Sequence, residues 1–133
     1  MRKTISNQKG FTLIEIIAVL VILGILAAVA VPKYIDMATE AKKSAAKGEV
    51  AEMKSTLNLA YAKLFMSNGS PGGAASVVAT TGFTDGTAFN VGTTPDIWNV
   101  TLTSSGVTAV VVSVNNRDGD AGYTATGTWN VPQ

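Results

Sequence analysis

The chain has 133 residues, of which 47% are hydrophobic and 14% are charged, and it contains neither cysteine nor histidine. This composition excludes disulfide frameworks, thiol nucleophiles, imidazole bases and zinc-finger sites, and with them most hydrolytic and metal-assisted chemistry. Ten basic against nine acidic residues give a net charge of +1, which supplies no basic surface specific for nucleic acid. We therefore expect no enzymatic activity, and the positive mean hydropathy of +0.29 indicates that apolar residues are concentrated in one region.

The N-terminal part has the layout of a membrane-targeting segment. Arg2, Lys3 and Lys9 precede an apolar run, residues 11–31, in which Glu15 is the only ionisable side chain. As a helix this run is about 30 Å long, which matches the hydrocarbon thickness of a bilayer. Because flanking positive charges stay on the cytoplasmic side, we expect a cytoplasmic N-terminus and an extracytoplasmic remainder of the chain.

A second helical stretch is predicted at residues 33–67. Its apolar residues recur at steps of three and four, which is typical of a helix with one buried face. This apolar stripe consists of Ala46, Val50, Met53, Leu57, Ala60, Tyr61 and Leu64. The segment from Ser67 to Gly73 is rich in Ser, Asn, Gly and Pro, and it predicts a helix end near Asn68 or Gly69.

The C-terminal part, residues 68–133, is predicted to form a connecting loop and a small antiparallel sheet. Alternating and β-branched residues predict three strands, at 98–103, 107–114 and 123–131. A tight turn is expected at 104–106. Asparagine, aspartate and glycine predict a longer polar turn between the last two strands, at 115–122.

The segment between the helix and the first predicted strand, residues 74–96, predicts an irregular connection with one short helix or edge strand. Trp98, Tyr123 and Trp129 occupy strand positions compatible with a core. The predicted fold class is α+β: a long N-terminal α-helix, transmembrane in its first half, packs its second half on a small antiparallel β-sheet.

The junction between the charged leader and the apolar run reads Lys9-Gly10-Phe11-Thr12-Leu13-Ile14-Glu15. This motif resembles that of the type IV pilin and pseudopilin family. The resemblance covers about residues 2–40, and it implies the type IV pilin fold. It also implies that a prepilin peptidase cleaves after Gly10 and methylates the new N-terminal amine of Phe11. Residues 1–10 are then a leader, whose loss removes three basic and no acidic residues and changes the net charge from +1 to −2.

Glu15 is the main anomaly of the apolar run, because an acidic side chain inside a membrane span is costly. Two interpretations of this residue are open. The family resemblance implies that the Glu15 carboxylate pairs with the Phe11 amine of a neighbouring subunit during assembly. Alternatively, Thr12 caps the helix and Glu15, three residues later, completes a capping box.

Gly24 and Pro32 bracket a weak segment of the apolar helix, since Pro32 cannot donate the hydrogen bond that helix continuity requires. The segment is either an ordinary proline kink or, as the resemblance implies, a stretch that loses helicity in a filament and makes it extensible. A competing interpretation treats the N-terminal part as an ordinary secretory signal cleaved after Ala30, which would release a soluble binding domain.

The predicted polar turn is rich in oxygen ligands, and Asn116, Asp118 and Asp120 form a weak candidate calcium site. Polar hairpin turns contain such residues for conformational reasons as well. No other cofactor is expected. Because the chain has no cysteine, packing and hydrogen bonds must hold this C-terminal region in place.

The function favoured by these observations is that of a structural subunit of a type IV pilus, polymerising through its N-terminal helix into a surface filament for adhesion or motility. The Ala-, Lys- and Glu-rich helix followed by a Val- and Thr-rich sheet also resembles the mannose-sensitive haemagglutinin type of pilin. The alternative within the family is a major pseudopilin of a type II secretion system.

The resemblance also implies a set of partners and a location. The partners are further copies of the chain, the prepilin peptidase and methyltransferase, an inner-membrane platform protein, an assembly ATPase and, before assembly, membrane lipid. The expected location is the bacterial inner membrane for the precursor and the cell surface for the assembled pilus.

Overall fold

The computed structural model describes residues 10–133, so that most of the predicted leader, residues 1–9, lies outside the described residues. The helices and strands, in chain order, are α1 (Leu13–Asn68), α2 (Ala74–Thr80), β1 (Ala88–Thr93), β2 (Asp96–Ser105), β3 (Ala109–Arg117) and β4 (Ala125–Asn130). The four strands form one antiparallel sheet in the order β1-β2-β3-β4. The predicted α+β fold class is confirmed. The chain divides into two compact units, one ending at Met37 and one running from Ala38 to Gln133.

Helix α1 continues through Pro32 and ends at Asn68, at the start of the segment rich in Ser, Asn, Gly and Pro. Gly69 adopts a left-handed conformation, with φ of 69°, and its amide donates a hydrogen bond to the Phe65 carbonyl at 2.9 Å. A glycine takes this conformation without the steric cost that a Cβ atom would add. The helix end predicted near Asn68 or Gly69 is therefore confirmed.

The predicted apolar stripe is the face of α1 that is buried in the second unit. Ala46, Val50, Met53, Leu57 and Ala60 are buried, and Tyr61 and Leu64 pack against them while partly exposed. One further residue of this face was not predicted: Glu49, an acidic side chain that is 7% exposed.

The sheet contains the three predicted strands and an edge strand, β1, which was one of the alternatives for residues 74–96, but some predicted boundaries are wrong. β3 begins at Ala109 rather than at Val107, which is 74% exposed and belongs to the turn. β3 also continues through Asn115 and Asn116, which were assigned to the polar turn. Asn116 pairs with Asn99 of β2, and the Asn115 side-chain amide donates a hydrogen bond to the side-chain Oδ1 atom of Asn99 at 2.9 Å. Tyr123 lies outside β4, in the loop before it.

The connection between the two predicted regions contains both a short helix, α2, and an edge strand, β1. The Phe83 and Phe89 rings stack with their centroids 3.7 Å apart, which joins the loop after α2 to β1. The Asp85 carboxylate accepts hydrogen bonds from the Ser104 amide, at 2.7 Å, and from the Ser104 hydroxyl, which ties the same loop to β2.

The core of the second unit lies between the buried face of α1, α2 and one face of the sheet. Alternation along the strands brings its sheet residues to one side, as expected for an antiparallel sheet covered on one face. These residues are Val100, Leu102, Val110, Val112, Val114 and Trp129. Trp129 is thus a core residue as predicted, whereas Trp98 and Tyr123 are only partly buried at its edge.

Candidate assembly site

The first part of α1 exposes an apolar surface on all sides. Every large apolar side chain between Phe11 and Met37 is exposed, from 47% for Ile17 to 83% for Phe11. By length and composition, α1 contains a segment apolar enough to cross a membrane, with a mean hydropathy of 3.0 over 18 residues. A helix that is apolar around its whole circumference requires lipid or other protein as its surroundings.

The start of α1 carries Glu15, the one ionisable side chain of residues 11–31, and that side chain closes a capping box. The Thr12 amide and hydroxyl each donate to Glu15 Oε2 at 2.8 Å, and the Glu15 amide donates to the Thr12 hydroxyl oxygen at 3.3 Å. This reciprocal arrangement satisfies amide groups that the first turn of a helix leaves unpaired. The capping interpretation of Glu15 therefore describes the isolated, uncleaved chain.

Gly10 and Phe11 lie outside the helix and are exposed, so the peptide bond between them is accessible. In the uncleaved chain the Phe11 nitrogen is a peptide amide and carries no charge. A cationic partner for Glu15 at this position would require cleavage of the Gly10–Phe11 bond, since a free amine is mostly protonated at neutral pH. In the uncleaved chain, Thr12 supplies the hydrogen-bond donors of the Glu15 carboxylate.

The segment from Gly24 to Pro32 is helical throughout. Pro32 lies inside α1 and donates no backbone hydrogen bond, so the Ala28 carbonyl lacks its usual helical partner. Nothing occupies the space that a side chain at Gly24 would fill. The structure thus contains a helical segment with one missing hydrogen bond and one residue of low helix propensity.

The three residues of the candidate calcium site have different surroundings. Asn116 lies in β3, opposite Asn99. Asp118 Oδ1 accepts a hydrogen bond from the Ile97 amide at 2.9 Å. Within residues 10–133, no group of three or more acidic side chains is arranged to hold a metal ion.

Asp120, the third residue, forms an ion pair with helix α1. Its Oδ2 atom lies 2.5 Å from Lys42 Nζ, and its Oδ1 atom accepts from the Gly122 amide at 2.7 Å. The hydrogen bond from Lys42, followed by the one from Gly122, lowers the pKa of Asp120, and the same ion pair raises the pKa of Lys42. A cation bound at this carboxylate would have to displace the lysine.

The loop between β3 and β4 is further held by Arg117, which sequence analysis did not single out. Its guanidinium forms an ion pair with Asp96, and it lies 5.2 Å from the Trp98 ring centroid and 5.3 Å from that of Tyr123. Trp98 and Tyr123 contact each other edge to face at 5.7 Å. Stacking of an arginine on aromatic rings adds to the packing of this loop.

Two hydrogen bonds attach the C-terminal end of the chain to α1. The Trp129 indole donates to Asn58 Oδ1 at 2.7 Å, and the Tyr61 hydroxyl donates to the Pro132 carbonyl at 3.1 Å. Asn58 was also missed by sequence analysis, although a buried indole requires an acceptor and a polar residue beside the apolar stripe can supply one. Because the chain has no cysteine, these hydrogen bonds, rather than a disulfide, attach the C-terminal end to α1.

The N-terminal part of the chain is similar to several known proteins. A family model described as the prokaryotic N-terminal methylation motif matches residues 5–31. Type II secretion system core protein G of Pseudomonas aeruginosa is 48% identical over 53 residues, which cover 40% of this chain and 37% of that protein. The type IV major alpha-pilin of Moraxella bovis is 45% identical over 55 residues, covering 41% and 35% of the two chains. These alignments thus span little more than a third of either relative.

A longer alignment reaches into the sheet. A fimbrial protein of Pseudomonas aeruginosa is 33% identical over 116 residues, which cover 86% of this chain and 73% of that protein. No solved structure matches the chain. The chain therefore belongs to the type IV pilin and pseudopilin family, as a pilin-like filament subunit. The resemblance of its leader junction to that family is confirmed.

Proposed function

We propose that the chain is the structural subunit of a type IV pilus and has no catalytic role. The observation that carries this proposal is the exposed apolar surface from Phe11 to Met37, which contains the capped Glu15 near its N-terminal end. In the membrane this surface contacts lipid, and in a filament the same surface packs against the helices of other copies. Because lipid and a helix bundle are similarly apolar, extraction requires external work, which an assembly ATPase and a platform protein would supply.

Processing links the leader to assembly in this proposal. A prepilin peptidase cuts the accessible bond after Gly10 and methylates the Phe11 amine on the cytoplasmic side. The new cation forms an ion pair with Glu15 of a neighbouring copy. To form this pair, the Glu15 carboxylate gives up the hydrogen bonds that Thr12 donates to it. In an apolar environment, this ion pair stabilises each incoming subunit and fixes its position relative to its neighbour.

Mass spectrometry of the mature N-terminus tests the processing step. Expressed in a pilus-forming bacterium that lacks its own major pilin, the chain is expected to begin at methylated Phe11. A start at Val31 would instead support the secreted binding domain. That alternative removes most of the apolar surface, including residues 24–30.

The Glu15 step is tested with the Glu15→Gln variant in the same strain. We expect normal cleavage and membrane insertion, but at least about a tenfold loss of sheared surface filaments, because one pairing charge is absent. Glu40→Gln is the matched control, since Glu40 is exposed on α1 and forms its ion pair with Lys43 of the same helix. Wild-type filament yield from the Glu15 variant would contradict the proposed pairing.

The Gly24–Pro32 segment is proposed to lose helicity in the filament and to give it extensibility. The missing hydrogen bond at Pro32 lowers the cost of opening this turn. A Pro32→Ala variant restores the donor, and its filaments are expected to extend less under a given force in optical-trap measurements. Equal extension of both filaments would contradict this proposal.

A major pseudopilin of a type II secretion system is the second candidate, and the 48% identity to core protein G supports it. The alignment with the fimbrial protein, which includes most of the sheet, favours the pilus. Electron microscopy of sheared surface fractions separates the two, because abundant long filaments at native expression level are incompatible with a short periplasmic assembly.

A further inference from the structure

An acidic groove lies on one side of α1 in the second unit. We define the acidic groove by Glu49 and Glu52 of α1 and Asp96 of β2. It is an open depression of about 380 Å³, also lined by β1 and by Trp98 and Arg117. With three carboxyl groups and one guanidinium, its formal charge is negative.

Glu49 is the unusual member of this groove. Its side chain is 7% exposed, and among the described residues its Oε1 atom has no hydrogen-bond partner. Burial, and then the nearby charge of Glu52, raise the pKa of Glu49. A buried carboxyl oxygen without a partner is destabilising, so the isolated subunit leaves this position unsatisfied.

The cation already present in the acidic groove is engaged elsewhere. Arg117 forms its ion pair with Asp96 and lies against the Trp98 and Tyr123 rings. No ion pair joins it to Glu49 or Glu52 within the described chain. The acidic groove therefore lacks a donor for Glu49 and carries excess negative charge that a donor from outside could neutralise.

A basic groove lies on the opposite flank of the same helix. We define it by Lys47 and Lys54 of α1, above a floor of Val50, Thr126 and Gly127. Among the described residues Lys54 has no ion-pair partner. β4, which forms the floor, is an edge strand of the sheet.

Helix geometry sets the two grooves on opposite sides of the buried stripe. Residues in an α-helix are spaced by about 100°, so Lys47 and Glu49, two positions apart, point in nearly opposite directions. Sheet order agrees with this independently, because the acidic groove adjoins β1 and β2 and the basic groove adjoins β4, the other edge. One copy therefore presents a cation on one flank and an unsatisfied anion on the other.

We propose that the acidic groove binds the Lys54 ammonium of a second copy of this chain. The ammonium pairs with the exposed Glu52 carboxylate beside the buried Glu49 side chain and neutralises the negative charge of the groove. The contact joins two different surfaces, so it is heterologous and leaves a free groove at each end for the next copy. This inference rests on the proposed function as a filament subunit and names a contact between subunits in the filament.

Carbodiimide cross-linking of intact filaments tests the contact, since it condenses an amine with a carboxylate that touches it. Filaments assembled from mixed isotopically labelled and unlabelled wild-type chains are expected to yield mixed-isotope peptides joining Lys54 to Glu49 or Glu52. Lys54→Arg is the matched control, because it retains the charge and the filaments but removes the reactive amine, so this cross-link disappears. Wild-type filaments without this cross-link overturn the inference.

Charge reversal provides a second readout. Lys54→Glu is expected to reduce filament yield about tenfold, because it faces like charges across the contact, and the double variant Lys54→Glu with Glu52→Lys is expected to restore it. Lys63→Glu, an exposed helix lysine outside the basic groove, is the control and retains wild-type yield. Circular dichroism of each variant in detergent verifies folding.

The outcomes separate the two proposals. Wild-type filament yield from Lys54→Glu, or no recovery in the folded double variant, overturns the contact and leaves the pilus function standing. Absence of any filament from the unmodified chain, in a strain with all assembly components, overturns both.

Discussion

At the scale of single residues, the hydrogen bond between Trp129 and Asn58 joins β4 to α1 at the edge of the core. Removal of the acceptor leaves a largely buried indole N–H without a partner, which costs about 1–3 kcal/mol. We therefore expect Asn58→Ala to lower the free energy of unfolding by that amount, measured by urea titration of the full chain in detergent with tryptophan fluorescence.

Asn130→Ala is the matched control for this measurement. Asn130 is exposed and lies next to Trp129 at the end of β4. Its substitution is expected to change the free energy of unfolding by less than about 0.5 kcal/mol. Equal effects of both variants would show that the indole hydrogen bond contributes nothing specific.

Glu49 gives the free energy of unfolding a pH dependence of unusual sign. Its pKa is raised in the folded state, so between the ordinary carboxyl pKa and the raised value the folded chain binds more protons than the unfolded chain. The contribution of Glu49 to stability is therefore present at low pH and is lost as pH rises through this interval. Glu52, Asp96 and Arg117 face it in the same groove.

Glu49→Gln removes this contribution. The difference in free energy of unfolding, variant minus wild type, is expected to increase as pH rises through the interval, in thermal melts of the monomer in detergent. Glu40→Gln should show the opposite trend, because the hydrogen bond from Lys43 lowers the pKa of Glu40. A pH-independent difference for Glu49→Gln would contradict the raised pKa.

At the scale of secondary-structure elements, β4 approaches α1 closely at Gly127. A Cβ atom there would lie 2.7 Å from Val50 Cγ1 and 3.0 Å from Lys54 Nζ, closer than van der Waals contact permits. Gly127→Ala must therefore displace β4 or the helix side chains, and we expect a loss of about 1–3 kcal/mol in the free energy of unfolding.

Gly48 is the matched control on α1. It is a helical glycine, and nothing occupies the space within 4 Å of the Cβ atom that alanine would add. Gly48→Ala is therefore expected to stabilise the chain by about 0.5–1 kcal/mol, since alanine restricts the unfolded backbone and favours helix. Changes of the same sign in both variants would contradict the close approach at Gly127.

The spacing of apolar residues predicted those helices and strands that bury one face against the core. The stripe from Ala46 to Ala60 was found because burial on one helix face imposes steps of three and four. β1 was not assigned with certainty, because Ala88–Thr93 is an edge strand with little buried surface and hence little alternation. The continuation of β3 through Asn115 depends on partners on β2, which sequence pattern does not reveal.

The candidate assembly site was predictable for the same reason, since its motif and apolar run are local in sequence. The grooves were not. Glu49 lies on the buried face of α1, where the hydrophobic pattern predicts only apolar side chains. Arg117 acquires its role only when Trp98, Tyr123 and Asp96 surround it. Such contacts join residues far apart in the chain and require the folded sheet.

The loop between β3 and β4 is expected to be insensitive to calcium. Asp118 and Asp120 are already bound to Ile97 and Lys42, so a cation must replace existing hydrogen bonds before it gains its own. Millimolar calcium is therefore expected to leave the melting temperature of the full chain unchanged in differential scanning calorimetry. A calcium-dependent rise that Asp120→Asn abolishes would instead establish the site.

At the scale of the whole molecule, folding and membrane contact belong to different parts of the chain. Among residues 10–133, every buried residue lies at or beyond Ala46, within the unit that runs from Ala38 to Gln133, whereas residues 10–40 are exposed. Loss of the described part of the first unit therefore removes no core side chain, and it removes most of the apolar surface that requires lipid or other copies.

A chain beginning at Ala38 is accordingly expected to fold as a water-soluble monomer and to form no filaments. Because no core side chain is lost, its free energy of unfolding should lie within about 0.5 kcal/mol of that of the full chain in detergent. Urea titration and analytical ultracentrifugation measure the two quantities. Unfolding of the shortened chain would show that the first unit contributes to the stability of the second, whereas filament formation by it would place the principal assembly contacts in the second unit.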